Sequence, residues 1–235
     1  MAITDRETDR GDASDMADLA LFDRMARELY VAVVSDVLDA LGYRDQVMRV
    51  DIRPVLPDPG AVVVGRAATQ LIAPQLEAQE EPYEEQIAAI DALRPGDVVV
   101  IAAPGFIAAA TWGELFSTAA GARGARGTVI DGYHRDTRQL LELGYPVFST
   151  GARPKDIAAR GAVVARGKPV RCGGVRVRQG DIVFAEVDGI AVIPQDVAGE
   201  AVERAFAKAA AEDRCRDDLR AGALLSEVWE THKVL

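Results

Sequence analysis

Apolar and polar positions recur along this chain with two different periods, and the changes of period mark its elements. Leu19, Leu21, Phe22, Met25, Ala26 and Leu29 follow the 3.6-residue spacing of an amphipathic helix over 19–30. A second helix is predicted from near Ser35 or Asp36 to Gly42, with Ser35, Asp36 and Asp39 on its polar face. Segment 43–60, with Pro54, Pro57, Pro59 and Gly60, reads as an irregular connector. AVVVGRAATQLI, 61–72, reads as a strand bulged at Gly65. The acidic stretch 75–86 runs into the helix EEQIAAIDAL, and its five glutamates read as a solvated face.

Arg94-Pro95-Gly96-Asp97 is a turn that launches the apolar strand VVVIAA. Arg178-Gln179-Gly180-Asp181 repeats the device before IVFAEVDGIAVIP, a hairpin turning at Asp188-Gly189. Between them the pattern predicts a helix over 113–123, a buried strand at Thr128-Val129-Ile130, a helix over 134–143 and a strand over 146–151. A loop-and-strand stretch rich in Gly, Arg and Pro occupies 151–180, and the end is helical over 196–220 and 224–234. No repeat of constant period and no linker divides the chain. The expectation is one α/β domain over 17–235, its sheet faces covered by helices, after a disordered lead-in over 1–16 that lacks periodicity and large apolar groups.

Composition narrows the function classes. A hydrophobic share of 49% and a mean hydropathy of +0.02 fit a soluble globular chain, and no apolar run approaches the ~20 residues that span a bilayer. The polar, acidic start resembles neither a signal nor a transit peptide, so a cytoplasmic protein is expected. A net charge of −10 argues against nucleic acid and against anionic lipid as partners. It leaves an anionic small molecule open, because a site needs only a local positive field. Cys172 and Cys215 lie far from each other and from any Cys/His cluster, and read as free thiols.

The richest stretch is 111–136, TWGELFSTAAGARGARGTVIDGYHRD. The strand at 128–130 delivers the residues after it to the carboxyl edge of a sheet, where open α/β folds place ligands. Arg135, a planar anion fork, arrives there beside Asp136, a hard oxygen ligand. Arg135 is expected one residue inside a helix start, where a cation opposes the dipole. The first N–H groups of the helix at 113–123, those of Gly113, Glu114, Leu115 and Phe116, form a ready carboxylate site. Thr111-Trp112-Gly113-Glu114 is equally readable as a capping box. His134 reads as a packed side chain more readily than as a general base, and His232 as a surface residue. Asp131 and Asp136, taken singly, also read as helix-stabilising residues.

Absent motifs sharpen the chemistry. Lys155, Lys168, Lys208 and Lys233 all fall on polar loops, an amphipathic helix or the tail, so no Schiff-base lysine stands out. One central histidine cannot build a catalytic zinc site, which leaves Mg²⁺ or Mn²⁺ on one carboxylate and waters. The glycines of 121–127 come after a helix and lack GxGxxG spacing, and neither GxxxxGK[ST] nor GxSxG occurs.

These residues resemble the RraA-like family, which includes class II 4-hydroxy-4-methyl-2-oxoglutarate aldolases and the regulator of ribonuclease E activity. The resemblance runs from Ser35-Asp36-Val37-Leu38-Asp39-Ala40-Leu41-Gly42 through Gly65-Arg66-Ala67-Ala68-Thr69 to Arg220-Ala221-Gly222. Its strongest parts are Trp112-Gly113-Glu114-Leu115 and Val129-Ile130-Asp131-Gly132-Tyr133-His134-Arg135-Asp136. The aldolase branch is similar in having an acidic residue, twenty intervening positions and then Arg-Asp, as Glu114 and Arg135 enclose residues 115–134. A departure lies at Glu114, where the aldolases have Asp; the extra methylene moves the carboxylate by about 1.5 Å in a site needing ~0.5 Å placement.

The resemblance implies an α-β-β-α sandwich that assembles as a homotrimer or homohexamer, with sites near subunit boundaries. It implies that Gly113 to Phe116 hold the substrate, Arg135 grips its carboxylate and carbonyl oxygens, Asp136 ligates Mg²⁺ or Mn²⁺, and Glu114 and Asp131 orient metal-bound waters. The expected function is a metal-dependent lyase on a small anionic 2-oxo acid. It would cleave a 4-hydroxy-2-oxo acid to pyruvate, decarboxylate oxaloacetate, or do both through one pyruvate enolate. The alternative is a non-catalytic, protein-binding regulator of ribonuclease activity. A methyltransferase is disfavoured, since no glycine-rich cosubstrate loop comes after the first strand.

Overall fold

The computed structural model describes residues 5–234 except 57, 59, 60, 76, 78, 79 and 107, with side chains from residue 16 onward. In chain order the elements are α1 (Asp5–Glu28), α2 (Val31–Ala40), β1 (Arg53–Pro54), β2 (Val63–Pro74), α3 (Glu84–Asp91), β3 (Asp97–Ala102), β4 (Ala110–Trp112), α4 (Glu114–Ala122) and β5 (Gly127–Asp131). Next come β6 (Tyr133–His134), α5 (Thr137–Leu143), β7 (Val147–Ser149), β8 (Gly151–Ala152), β9 (Gly161–Arg166), β10 (Val170–Cys172), β11 (Val175–Val177), β12 (Ile182–Glu186), β13 (Gly189–Ile193), α6 (Ala198–Arg220) and α7 (Leu225–His232).

α1 begins at Asp5 rather than near Leu19, and α2 at Val31 rather than Ser35; extended Tyr30 (φ −142°) forms the break between them. Of the lead-in expected over 1–16, residues 1–4 and the side chains of 5–15 lie outside the described residues. β2 passes straight through Gly65, and its irregularity falls between Leu71 and Ile72, where it pairs with β9. Gly65 serves the turn at Arg94–Asp97 instead: a Cβ there would lie 2.2 Å from the Gly96 carbonyl oxygen, which accepts the Arg66 N–H at 3.0 Å.

The main sheet has eight strands in the order β1-β7-β5-β3-β2-β12-β13, with β9 pairing β2. β2, β3, β5 and β7 are mutually parallel, as continuous apolar runs joined by helices require. The hairpin of β12 and β13 forms, but its turn is Val187-Asp188 and not Asp188-Gly189, since Gly189 already pairs with Glu186. Strand alternation sends Val64, Phe184 and Ile193 against α1, α2 and α6, and Val99, Ile101, Ile130 and Val147 into a cluster with Trp112, Ala120 and Leu140. The opposite parity, Val63, Ala67, Val98, Val100, Val129, Val183 and Val192, meets Met48, Ile52 and the ribbon of β10 and β11. The mixed α/β sandwich forms as expected, yet this second face is covered by a β-ribbon, where the apolar pattern alone had suggested helices. Among the described residues no helix is long and apolar enough to cross a membrane.

At the carboxyl end of β5 the chain enters a second, three-stranded parallel sheet, ordered β4-β6-β8. This small sheet positions the site.

Candidate active site

Three segments leave the small sheet side by side. The Arg135 N–H donates to the Trp112 carbonyl at 2.9 Å, and the Arg153 N–H to the His134 carbonyl at 2.8 Å. Gly113 leaves β4 in extended geometry and caps α4 without a side-chain bond. Neither half of a capping box forms. Thr111 lies within β4, and the Glu114 carboxylate accepts the Thr118 hydroxyl at 2.7 Å. The Glu114 N–H is answered by Asp136 Oδ2, at 3.2 Å. Among the described residues the next two N–H groups, of Leu115 and Phe116, have no partner, as the first turn of a helix leaves them.

Asp136 reaches α4 because its backbone is left-handed (φ 61°, ψ 39°), a conformation Asp tolerates better than most side chains. It caps α5 by position but sends its carboxylate across to α4. Gly113 is required by this approach: a Cβ there would lie 2.5 Å from Asp136 Oδ2 and 3.2 Å from Arg135 Cγ. Arg135 itself lies before α5, in the link from β6, not within a helix over 134–143; the helix dipole argument for it therefore lapses.

The Arg135 guanidinium is one-third exposed and lies among carboxylates. Its Nη1 is 2.9 Å from Asp156 Oδ2 and its Nε 3.7 Å from Asp136 Oδ2. The Tyr83 hydroxyl donates to the same Asp156 oxygen at 2.7 Å, while Asp156 Oδ1 accepts the Ala158 N–H at 3.0 Å. Burial pushes the Asp156 carboxyl up, but the Ala158 N–H, Tyr83 and Arg135 outweigh it and hold the group below its ordinary value. Burial, then the bond to Asp156, raises the Tyr83 hydroxyl. Burial works against the Arg135 charge, and the Asp156 and Asp136 carboxylates more than restore it.

Tyr83 and Asp156 were not foreseen. They stand 73 positions apart, in an acidic stretch and a polar loop, and no spacing joins them. Phe116 links this corner to the core, its ring 5.6 Å from Trp112 and 6.3 Å from Tyr83. Leu115 is 78% exposed.

Two of the expected residues are placed differently from Arg135 and Asp136. Asp131 does not join the Arg135 corner: its buried carboxylate takes the Arg49 guanidinium at 2.7 Å and the Gly173 N–H at 2.9 Å. The reason is strand parity, since Asp131 shares the face of Val129, toward the ribbon, whereas Ile130 points to the side of α4. Glu114 meets Asp136 through its main-chain N–H, and its carboxylate is engaged along α4 by Thr118. His134 is a packed side chain. Its Nδ1 pairs with Ser149 Oγ at 2.7 Å and its Nε2 with Thr137 Oγ1 at 2.9 Å, and burial pulls its pKa below the ordinary value.

The fit to a metal rests on donor chemistry. Among the described residues no three His, Cys, Asp or Glu side chains gather to hold an ion. One carboxylate is available at Arg135, that of Asp136, 40% exposed and with no hydrogen bond to Oδ1 among the described residues. A single hard oxygen ligand completed by waters suits Mg²⁺ or Mn²⁺ and does not suit zinc.

Residues 31–192 match the family model described as RraA-like, Aldolase/RraA. The chain belongs to the RraA-like family. A provisionally named 4-hydroxy-4-methyl-2-oxoglutarate aldolase of Halalkalibacterium halodurans is 30% identical over 202 residues, covering 81% of this chain and 84% of that protein. Protein DlpA of Legionella pneumophila is 30% identical over 86% of this chain, which spans only 32% of DlpA's length. Among solved structures, RraAS2 of Streptomyces coelicolor, titled an unusual member of the RNase ES inhibitor RraA protein family, aligns with TM-score 0.74 and 30% identity over 84% of this chain and 96% of its own. An uncharacterized Pseudomonas syringae protein aligns with TM-score 0.77 and 29% identity over 89% and 96%. Within this RraA-like chain, Gly113, Glu114, Arg135 and Asp136 thus form one corner, Tyr83 and Asp156 join it, and Asp131 stands apart.

Proposed function

We propose that this RraA-like chain is a divalent-metal-dependent lyase that forms a pyruvate enolate from a 2-oxo acid. One observation carries the reading: the Asp136 carboxylate and the Arg135 side chain meet at the amino end of α4, against a glycine whose missing side chain lets both approach. Beside Arg135 stand two carboxylates, of Asp136 and Asp156. Alone they disfavour an anionic substrate, and that imbalance supports a resident cation.

Asp136 would hold Mg²⁺ or Mn²⁺, which supplies Lewis-acid polarisation of the 2-oxo group. Arg135 and the free N–H groups of Leu115 and Phe116 bind the substrate's carboxylate and carry the negative charge that develops on its 2-oxo oxygen. In retro-aldol cleavage the 4-hydroxyl loses its proton, its electron pair forms the new C=O, and the C3–C4 pair passes into the enolate. Protonation at C3 then gives pyruvate. In oxaloacetate the same enolate arises by loss of CO₂. With Asp131 turned to the other face, Glu114 is the carboxylate left to hold the water that carries the proton.

Pyruvate release from oxaloacetate and from 4-hydroxy-2-oxo diacids, with each metal and with EDTA, tests the proposal. Metal-dependent release that Arg135→Ala abolishes supports it, and undiminished turnover in that variant contradicts it. Likeness to RraAS2, by its title an unusual member of the RNase ES inhibitor RraA protein family, motivates the second reading, a regulator of ribonuclease activity. Capture of a ribonuclease unaffected by EDTA, with no pyruvate formed, would favour it. A homotrimer or homohexamer belongs to the proposal too, and exposed Leu115 beside the site is consistent with it.

A further inference from the structure

The ribbon of β10 and β11 carries two arginines on its outer face. Val170, Cys172, Val175 and Val177 are buried, Arg171 and Arg176 are exposed, and register sets the two arginines directly opposite each other. Residues so paired have Cβ atoms about 4.5–5.5 Å apart, and like charges there destabilise a ribbon. The loop over 43–50 adds Arg44 and Arg49, and the four guanidiniums line an open cleft of about 470 Å³ in which Asp45 is the acidic lining residue. Its walls are fixed. The Arg49 N–H donates to the Gly173 carbonyl at 2.9 Å, and the Met48 N–H to the Ile190 carbonyl at 2.9 Å. A Cβ at Gly173 would lie 2.7 Å from Met48 Cβ, so the ribbon's turn and the loop are in direct contact.

Of these cations Arg49 is answered, by Asp131 at 2.7 Å and Asp51 at 3.2 Å. Arg44, Arg171 and Arg176 make no ion pair among the described residues, and Arg171 donates to the Gly174 carbonyl. Three exposed guanidiniums without a paired counter-charge, two of them forced together by strand register, stand out in a chain of net charge −10. An anion bridging them would turn that repulsion into charge-assisted hydrogen bonds, and the guanidinium fork matches phosphate oxygens in pairs. No aromatic ring lines the cleft, so nothing there stacks a base. We propose that this cleft binds a small oligophosphate, an anion with two or more linked phosphoryl groups. One group sits between Arg171 and Arg176, and Arg44 takes the next. The cleft lies on the ribbon's side of the main sheet, opposite α4, and the inference is independent of the lyase reading.

Calorimetric titration of the metal-free chain with inorganic tripolyphosphate and with orthophosphate tests it. The native chain should bind one tripolyphosphate, about tenfold or more tightly than orthophosphate. The double variant Arg171→Met, Arg176→Met should bind it at least about tenfold more weakly. Without ligand that variant should melt no lower than the native chain, because it loses a like-charge pair. Asp136→Asn should bind tripolyphosphate as the native chain does, so loss of the metal site and loss of this one are told apart. No saturable binding, no preference over orthophosphate, or binding retained in the double variant would overturn the assignment. A double variant that melts several degrees lower would also overturn it, since the pair would then serve the ribbon itself. So would tighter binding of a single-stranded oligonucleotide through the same arginines, which would make the cleft a nucleic-acid contact.

Discussion

Asp136 Oδ2 accepts the main-chain N–H of Glu114 at 3.2 Å, joining the start of α5 to the start of α4. The contact exists only because residue 113 lacks a side chain and residue 136 adopts a left-handed backbone. Gly113→Ala therefore tests the geometry without touching either charged group. Extended backbone at 113 accepts alanine without strain, so the variant should fold and lose little stability. Its Cβ must displace the Asp136 carboxylate, and turnover should fall on the order of 100-fold, the effect of about an ångström of misplacement. Thermal melts and pyruvate release, measured together, check both halves.

Asp156 is expected to position Arg135 rather than to react. Asp156→Asn keeps the shape and removes the charge that pairs with Nη1, and should lower kcat/KM about tenfold while leaving measurable turnover. Tyr83→Phe should do less, since the Ala158 N–H and Arg135 still hold Asp156. An Asp156→Asn variant as inactive as Arg135→Ala would give Asp156 a direct chemical role instead.

Asp131 is predicted to matter for stability and not for chemistry. Asp131→Ala strips a buried acceptor from Arg49 and from the Gly173 N–H. Arg49 is half exposed and can return to water, so the loss should be about 2 kcal/mol, or a Tm lower by roughly 4–8 °C. Turnover per folded molecule should stay within about twofold of the native chain.

His134 should make the fold acid-sensitive. Burial lowers its folded-state pKa below the unfolded value of about 6.5, so the unfolded chain binds the extra proton first. Its contribution is fully present above pH ~6.5 and is lost progressively as pH falls from there to the folded pKa. His134→Gln should be less stable at neutral pH and show a shallower loss of Tm between about pH 7 and 5. An unchanged slope in that variant would remove His134 as the cause.

Much of this was legible in the residues. The apolar runs of β3, β5, β12 and β13 announced a buried sheet, and the glycine-bounded strand at 127–131 pointed to the edge where Arg135 and Asp136 arrive. The two-residue strands β6 and β8 carry no period at all, and their existence depends on tertiary pairing with β4. The reading of 134–143 as one helix failed for that reason. Asp131 was misplaced although its signal was present: two residues after Val129, it had to share that residue's face. The pairing of Tyr83 with Asp156 was beyond reach, because only folding brings α3's entry and the loop after β8 together.

The central claim is that Asp136 anchors a divalent cation beside Arg135. Mn²⁺ binding to the native chain and to Asp136→Asn, measured by calorimetry alongside pyruvate release from oxaloacetate, tests it most directly. The account predicts one saturable Mn²⁺ site per chain and metal-dependent release in the native protein, both lost in Asp136→Asn with its fold intact. An Asp136→Asn protein that binds Mn²⁺ and releases pyruvate as the native chain does would contradict it.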